Sequence, residues 1–108
     1  MEVSKKDWKL YREKIGEWQE SYMDRLCKEY VQLLQSDAAP SERFWALEER
    51  IKEDKRRPGV RIELRKGDMI FDLVRLIREE VITIDDLSEF SEDMQDGVKL
   101  FMQRFSKD

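Results

Sequence analysis

The chain of 108 residues contains no histidine, one cysteine, two prolines and four glycines. Without histidine it lacks the side chain that most often acts as a general base near neutral pH, and it has no Cys/His or Ser/His pair for nucleophilic catalysis. Its isolated glycines form no phosphate-binding loop. The single cysteine, Cys27, excludes an internal disulfide and a cysteine-rich zinc site. We therefore expect a protein that is not an enzyme and that holds no cofactor and no metal.

Long apolar runs are also missing. No stretch approaches the roughly 20 apolar residues that span a bilayer. The first seven residues, MEVSKKD, lack the apolar core of a signal peptide. We expect a cytoplasmic protein that makes no contact with a membrane.

Charge is the abundant property of the chain. There are 21 Lys and Arg residues and 25 Asp and Glu residues, so 43% of the chain is charged and the net charge is −4. Ordinary globular domains have about 25% charged residues. Hydrophobic residues still make up 40% of the chain, which is enough for one modest core at this length. We expect residues 1–108 to form a single domain with a highly charged surface.

Apolar residues recur every three or four positions between Ser4 and about Gln35, which predicts one long helix. Its stripe is Trp8, Tyr11, Ile15, Trp18, Tyr22, Leu26, Tyr30 and Leu33. Ser4 and Asp7 have the spacing of a capping box, with Asp in place of the usual Glu. A second stripe at Met23, Cys27, Val31 and Leu34 predicts that the C-terminal half is the more deeply buried, with Cys27 an inert buried thiol.

Three further helical segments follow. Ser41 is the expected N-cap of a second helix in which Phe44, Leu47 and Ile51 form one face and Trp45 lies beside it, and which ends at Pro58-Gly59. Residues 60–64 alternate with period two and are interpreted as an extended connector, although a two-stranded ribbon with residues 81–84 is the alternative. A third helix runs from Asp68 to about Glu79.

The C-terminal part contains a short helical turn and a last helix. Thr83 and Asp86 have capping-box spacing at the start of a turn over residues 85–90. Ser91 begins the last helix, whose stripe is Met94, Val98, Phe101 and Phe105. The predicted fold is all-α: a small helical bundle with one long N-terminal helix, a second helix, an extended connector and two to three shorter C-terminal helices.

The long helix is too long for a compact domain of this size. About 32 residues extend roughly 48 Å, whereas a compact 100-residue domain has a radius of gyration of about 13 Å. One end of the helix should therefore overhang, unless the helix bends at Gly16, its weakest internal position.

The aromatic part of the long helix is the first candidate for function. Trp8, Tyr11, Trp18 and Tyr22 share its narrower apolar stripe. Aromatic residues are enriched at interface hot spots, so this stripe predicts binding of another protein or formation of a homodimer. The alternative is that the shorter helices fold back over the stripe and make it part of the core.

Two charged stretches give the alternative functions. Residues 50–66 have a balance of +5 and could bind the phosphates of a nucleic acid; the basic residues are Arg50, Lys52, Lys55, Arg56, Arg57, Arg61, Arg65 and Lys66. Residues 79–96 have a balance of −8 and could imitate a nucleic acid, as in an inhibitor of a nucleic-acid-handling or defence enzyme; the candidate face is Asp85, Asp86, Glu89, Glu92 and Asp93. The two stretches could also simply neutralise each other within the fold.

Residues 6–20 (KDWKLYREKIGEWQE), 44–51 (FWALEERI) and 81–87 (VITIDDL) are similar to a group of small helical proteins from Firmicutes genomes, to which no function is assigned. The likeness covers most of the chain. Small proteins of this kind often travel with mobile elements, so the resemblance implies an accessory or inhibitor role.

Overall fold

The computed structural model describes residues 2–104, and its regular elements within that range are all helical. The four α-helices are α1 (Lys5–Leu34), α2 (Pro40–Asp54), α3 (Met69–Arg78) and α4 (Glu92–Arg104). Short 3-10 turns precede α3 at Lys66–Asp68 and α4 at Ile84–Leu87. Residues 61–65 form neither helix nor strand. The expected all-α class is confirmed, with a connector in place of the two-stranded ribbon.

The first helix is continuous over 30 residues, and Gly16 lies within it. At 1.5 Å per residue α1 is about 45 Å long. The domain is correspondingly elongated, with extents of 52 × 32 × 21 Å and a radius of gyration of 16.6 Å. The expected overhang is therefore present, and Gly16 does not interrupt the helix.

The core lies along α1 from its first turn to Leu26 and is most extensive on the N-terminal half. Tyr11 and Ile15 pack into one cluster with the buried side chains of α3, α4 and the turn between them. The C-terminal half of α1 contacts α2 and leaves Val31 52% exposed. The expectation that this C-terminal half is the more deeply buried is wrong, because α3 and α4 fold back over the other half.

The cap at the start of α1 combines a local hydrogen bond that the spacing predicts with contacts across the fold that it does not predict. The Asp7 N–H donates to Ser4 Oγ at 3.1 Å, as expected for an N-cap. The Asp7 carboxylate, however, accepts hydrogen bonds from the Ser91 N–H at 2.9 Å and the Ser91 hydroxyl at 2.5 Å. Ser91 in turn accepts from the Met94 N–H at 3.1 Å, so one buried carboxylate ties the start of α1 to the start of α4.

The other helix ends test the remaining predicted caps. Pro40 begins α2 at its first position, where its missing N–H costs nothing, so Ser41 is not the N-cap. Asp68 precedes α3 but makes no side-chain capping bond. The capping box of Thr83 and Asp86 is confirmed. Phe105, expected at the end of the last stripe, lies outside the described residues.

A buried carboxyl links α1 to α3. The Tyr11 hydroxyl donates to Asp72 Oδ2 at 3.2 Å, and both side chains are buried. The pKa of Asp72 is raised to about 6, chiefly by burial; the Tyr11 hydrogen bond and Arg75 oppose this rise, and nearby Asp68 supports it. Burial and the neighbouring Asp72 also raise the pKa of Tyr11.

The raised pKa of Asp72 predicts a pH dependence of stability. The folded state binds the Asp72 proton more tightly than the unfolded chain, whose pKa is about 3.9, so this contribution is present below about pH 4 and is lost as the pH rises through 6. Asp72→Asn removes the titration. Between pH 4 and 7, we expect the free energy of unfolding of this variant to rise relative to that of wild type by on the order of 1–2 kcal/mol. Urea denaturation across this range measures it, and a difference that stays constant with pH would contradict it.

Candidate functional site

The overhanging half of α1 and the facing α2 form a helical hairpin with an apolar surface. Phe44 is 62% exposed and Trp45 is 59% exposed, and their rings meet edge to face with centroids 4.9 Å apart. Val31 and Leu34 are the exposed apolar residues at the end of α1. We call Val31, Leu34, Phe44 and Trp45, with the grooves beside them, the hairpin surface.

Two grooves run along this surface. One, of about 310 Å³, lies on α2 and is lined by Phe44, Leu47, Glu48, Ile51, Lys52 and Lys55. The other, of about 190 Å³, lies between α1 and the C-terminal end of α2 and is lined by Met23, Leu26, Cys27, Tyr30, Ile51, Asp54, Lys55 and Val60. Ile51 and Lys55 line both, so the two grooves are neighbours along α2. Cys27 is exposed in the second groove, and the expectation of a buried thiol is wrong.

A cluster of charged side chains holds α2 against α1. The Asp54 carboxylate is buried; it accepts a hydrogen bond from the Tyr30 hydroxyl at 2.6 Å and forms ion pairs with Arg50 at 3.2 Å and Arg57 at 3.4 Å. Arg50 also pairs with Glu29 on α1. Burial and the Asp54 bond raise the pKa of Tyr30. These contacts satisfy the Asp54 carboxylate. A cavity of about 300 Å³ lies beside the cluster and is bordered on its other side by Glu79 and Glu80.

The predicted basic stretch is divided by its partners. Four of its eight cations pair with carboxylates: Arg50, Lys52, Arg57 and Arg65. Within residues 2–104, no ion pair involves the other four, which are Lys55, Arg56, Arg61 and Lys66. The Arg57 pair with Glu79, at 3.2 Å, is where the basic and acidic stretches meet.

The predicted acidic face is partly used by the fold. Glu89 pairs with Lys14 at 2.5 Å, and Asp86 accepts the Thr83 N–H at 2.7 Å. Glu92 and Asp93 lie in the first turn of α4, where their negative charge stabilises the helix by interacting with the positive end of its dipole. Asp85 is exposed.

The predicted aromatic stripe lies in the core. Tyr11 and Tyr22 are buried, and Trp8 and Trp18 are half-buried against the core cluster. The rings of Tyr11 and Trp18 are 6.4 Å apart, and Trp18 contacts Phe90 at 6.3 Å. All four side chains therefore take part in packing within the chain.

The exposed aromatic pair was missed as a site, although a local signal was present. Adjacent residues on a helix point about 100° apart, so Phe44 and Trp45 cannot both face one neighbouring helix. The apolar spacing places Phe44 on one face with Leu47 and Ile51, and the structure leaves Phe44 exposed.

No protein-family model matches the chain, and no curated protein or solved structure shows significant similarity to it. Across residues 2–104, none of the helices combines the length and the apolar character needed to cross a membrane. The same part of the chain contains no cluster of acidic or cysteine side chains arranged to hold a metal ion.

Proposed function

We propose that the protein acts by binding another protein through the hairpin surface. The observation that supports this proposal is the adjacent pair Phe44 and Trp45, each about 60% exposed, with Phe44 lining an apolar groove on α2. Soluble monomers rarely leave more than a few hundred Å² of contiguous apolar surface open to water, and larger patches mark interaction sites. Tryptophan is also among the residues most enriched in interface hot spots.

The architecture of the hairpin favours this use. The core on the N-terminal half of α1 anchors the domain, while the ion pairs of Asp54 fix α2 on the overhanging half. The aromatic pair is thus presented on a fixed helix, which reduces the entropy lost on binding. Its side chains are absent from the core cluster, so they are free to serve a contact with another molecule.

The double substitution Phe44→Ser with Trp45→Ser tests this proposal. We expect it to reduce capture of a binding protein from a lysate of the source organism at least about tenfold, because hot-spot aromatics each contribute about 2 kcal/mol or more to binding. Stability should change by less than about 1 kcal/mol, since the side chains are exposed. Quantitative mass spectrometry of the captured proteins and urea denaturation measure the two effects.

Leu100→Ser is the matched control, because Leu100 is 56% exposed on α4, away from the hairpin surface. Capture should survive this change. Equal capture by wild type and the double variant would refute the proposal.

A nucleic acid is the second candidate partner. The supporting observation is the set of four basic side chains without an ion pair in the described chain: Lys55, Arg56, Arg61 and Lys66. Binding to generic DNA or RNA would then weaken steeply with added salt, with a slope set by at most about four phosphate contacts. Absence of a mobility shift at low salt would remove this candidate.

A further inference from the structure

The hairpin surface has an order along α2 that points to its occupant. The aromatic pair lies at the N-terminal end of α2, and the groove between α1 and α2 opens at the other end, beside Ile51 and Lys55. Between them Glu48 and Lys52 line the same face, one helical turn apart. The surface therefore presents an aromatic projection, an acid, a base and an apolar groove in sequence.

We propose that the partner at this surface is a second copy of the chain, which packs its α2 antiparallel on the first about a two-fold axis near residue 50. This inference rests on the proposed function, because it names the partner of the same surface. In this arrangement Phe44 of each copy lies against the groove on α2 of the other, beside its Lys55. Such a self-complementary contact is what a two-fold dimer requires.

The charges select the antiparallel direction. A two-fold axis near residue 50 places each Glu48 opposite Lys52 of the other copy, since 48 and 52 are equidistant from it. The same axis places Lys55 near the partner's Trp45, where a cation can stack on the indole ring. A parallel arrangement would instead oppose Glu48 to Glu48 and align the two helix dipoles unfavourably.

A charge exchange between two variants tests the arrangement. Glu48→Lys carries lysine at both positions, and Lys52→Glu carries glutamate at both, so each variant alone opposes like charges across the axis. We expect each to dimerise about tenfold more weakly than wild type. An equimolar mixture should recover dimer, because every lysine then faces a glutamate. Sedimentation equilibrium measures the three dissociation constants.

The mixture separates the contact between chains from the contact within one chain. Lys52 pairs with Glu48 of its own helix at 3.2 Å, and mixing two variants cannot restore that pair in either chain. Recovery in the mixture therefore reports only the contact between copies. The double variant with both changes should also dimerise, since it exchanges the charges in every copy.

The outcomes distinguish this inference from the proposed function. A wild-type chain that stays monomeric at all concentrations, or a mixture that fails to recover dimer, overturns the second-copy arrangement. In either case capture that depends on Phe44 and Trp45 would still support binding of a different protein. If the wild-type chain dimerises and Phe44→Ser with Trp45→Ser leaves the dimer intact, the arrangement is overturned. If this double variant also captures proteins as well as wild type does, the proposed function is overturned too.

Discussion

We expect Gly59→Ala to lower the free energy of unfolding by about 2–3 kcal/mol, the cost of forcing an extra carbon into a well-packed site. A Cβ atom at this position would lie 2.3 Å from Cδ2 of Tyr22 and 2.7 Å from its Cγ and Cε2. Gly59 is itself buried, and Tyr22 is buried against it, so neither can move away without disturbing the packing of α1. Denaturation in urea measures the loss.

Gly16→Ala is the matched control and should change stability in the other direction. Nothing lies within 4 Å of a Cβ built there, and the residue is inside α1. Alanine in a helix interior is about 1 kcal/mol more favourable than glycine. If the two substitutions changed stability equally, the close contact between Gly59 and Tyr22 would be absent in solution.

Asp7→Ala should destabilise the fold by about 3 kcal/mol. The substitution removes a carboxylate that accepts two hydrogen bonds from Ser91, and bonds to a charged acceptor contribute roughly 1.5–3 kcal/mol each. It also removes negative charge from the start of α4. Amide hydrogen exchange should show the first turn of α4 losing protection before the rest of that helix.

Asp24→Ala provides the comparison for Asp7. Asp24 pairs with Lys28 at 2.9 Å on the exposed face of α1, and a pair of this kind contributes about 0.5 kcal/mol or less. A loss from Asp7→Ala no larger than that from Asp24→Ala would show that the bond across the fold to Ser91 does not form.

Local sequence patterns predicted the helical elements well. The capping box at Thr83 and Asp86 depends on residues three apart, and the chain around it needs no distant partner to form it. The periodic stripes likewise located α1, α3 and α4, because residues three and four apart lie on the same face of a helix.

What covers each helix could not be predicted in the same way. The Asp7 carboxylate binds Ser91, which lies 84 residues away, and no local pattern indicates that pairing. A stripe shows which side chains of α1 share a face, but Tyr11 is fully buried and Val31 is 52% exposed on one helix. That difference depends on where α3 and α4 fold back.

The position of the hairpin surface also depends on where α3 and α4 pack along α1. Once α3 and α4 cover the N-terminal half of α1, the other half packs mainly against one face of α2, and Arg25 also donates to the Glu80 carbonyl after α3. The apolar residues on the other side of α2, Phe44 and Trp45, then remain exposed. Aromatic content alone predicted a contact surface on α1, whereas the structure packs that stripe against the core and leaves Phe44 and Trp45 exposed.

The indole N–H signals of the three tryptophans test directly whether the protein makes contact through the hairpin surface or through the aromatic stripe of α1. Trp8 and Trp18 lie against the core, and Trp45 lies on the hairpin surface. We expect that, in nitrogen-proton correlation spectra recorded over a range of protein concentrations, the Trp45 signal shifts as the hairpin surfaces associate, while the Trp8 and Trp18 signals stay in place. Shifts confined to Trp8 and Trp18 would contradict it and return the contact surface to the aromatic stripe of α1.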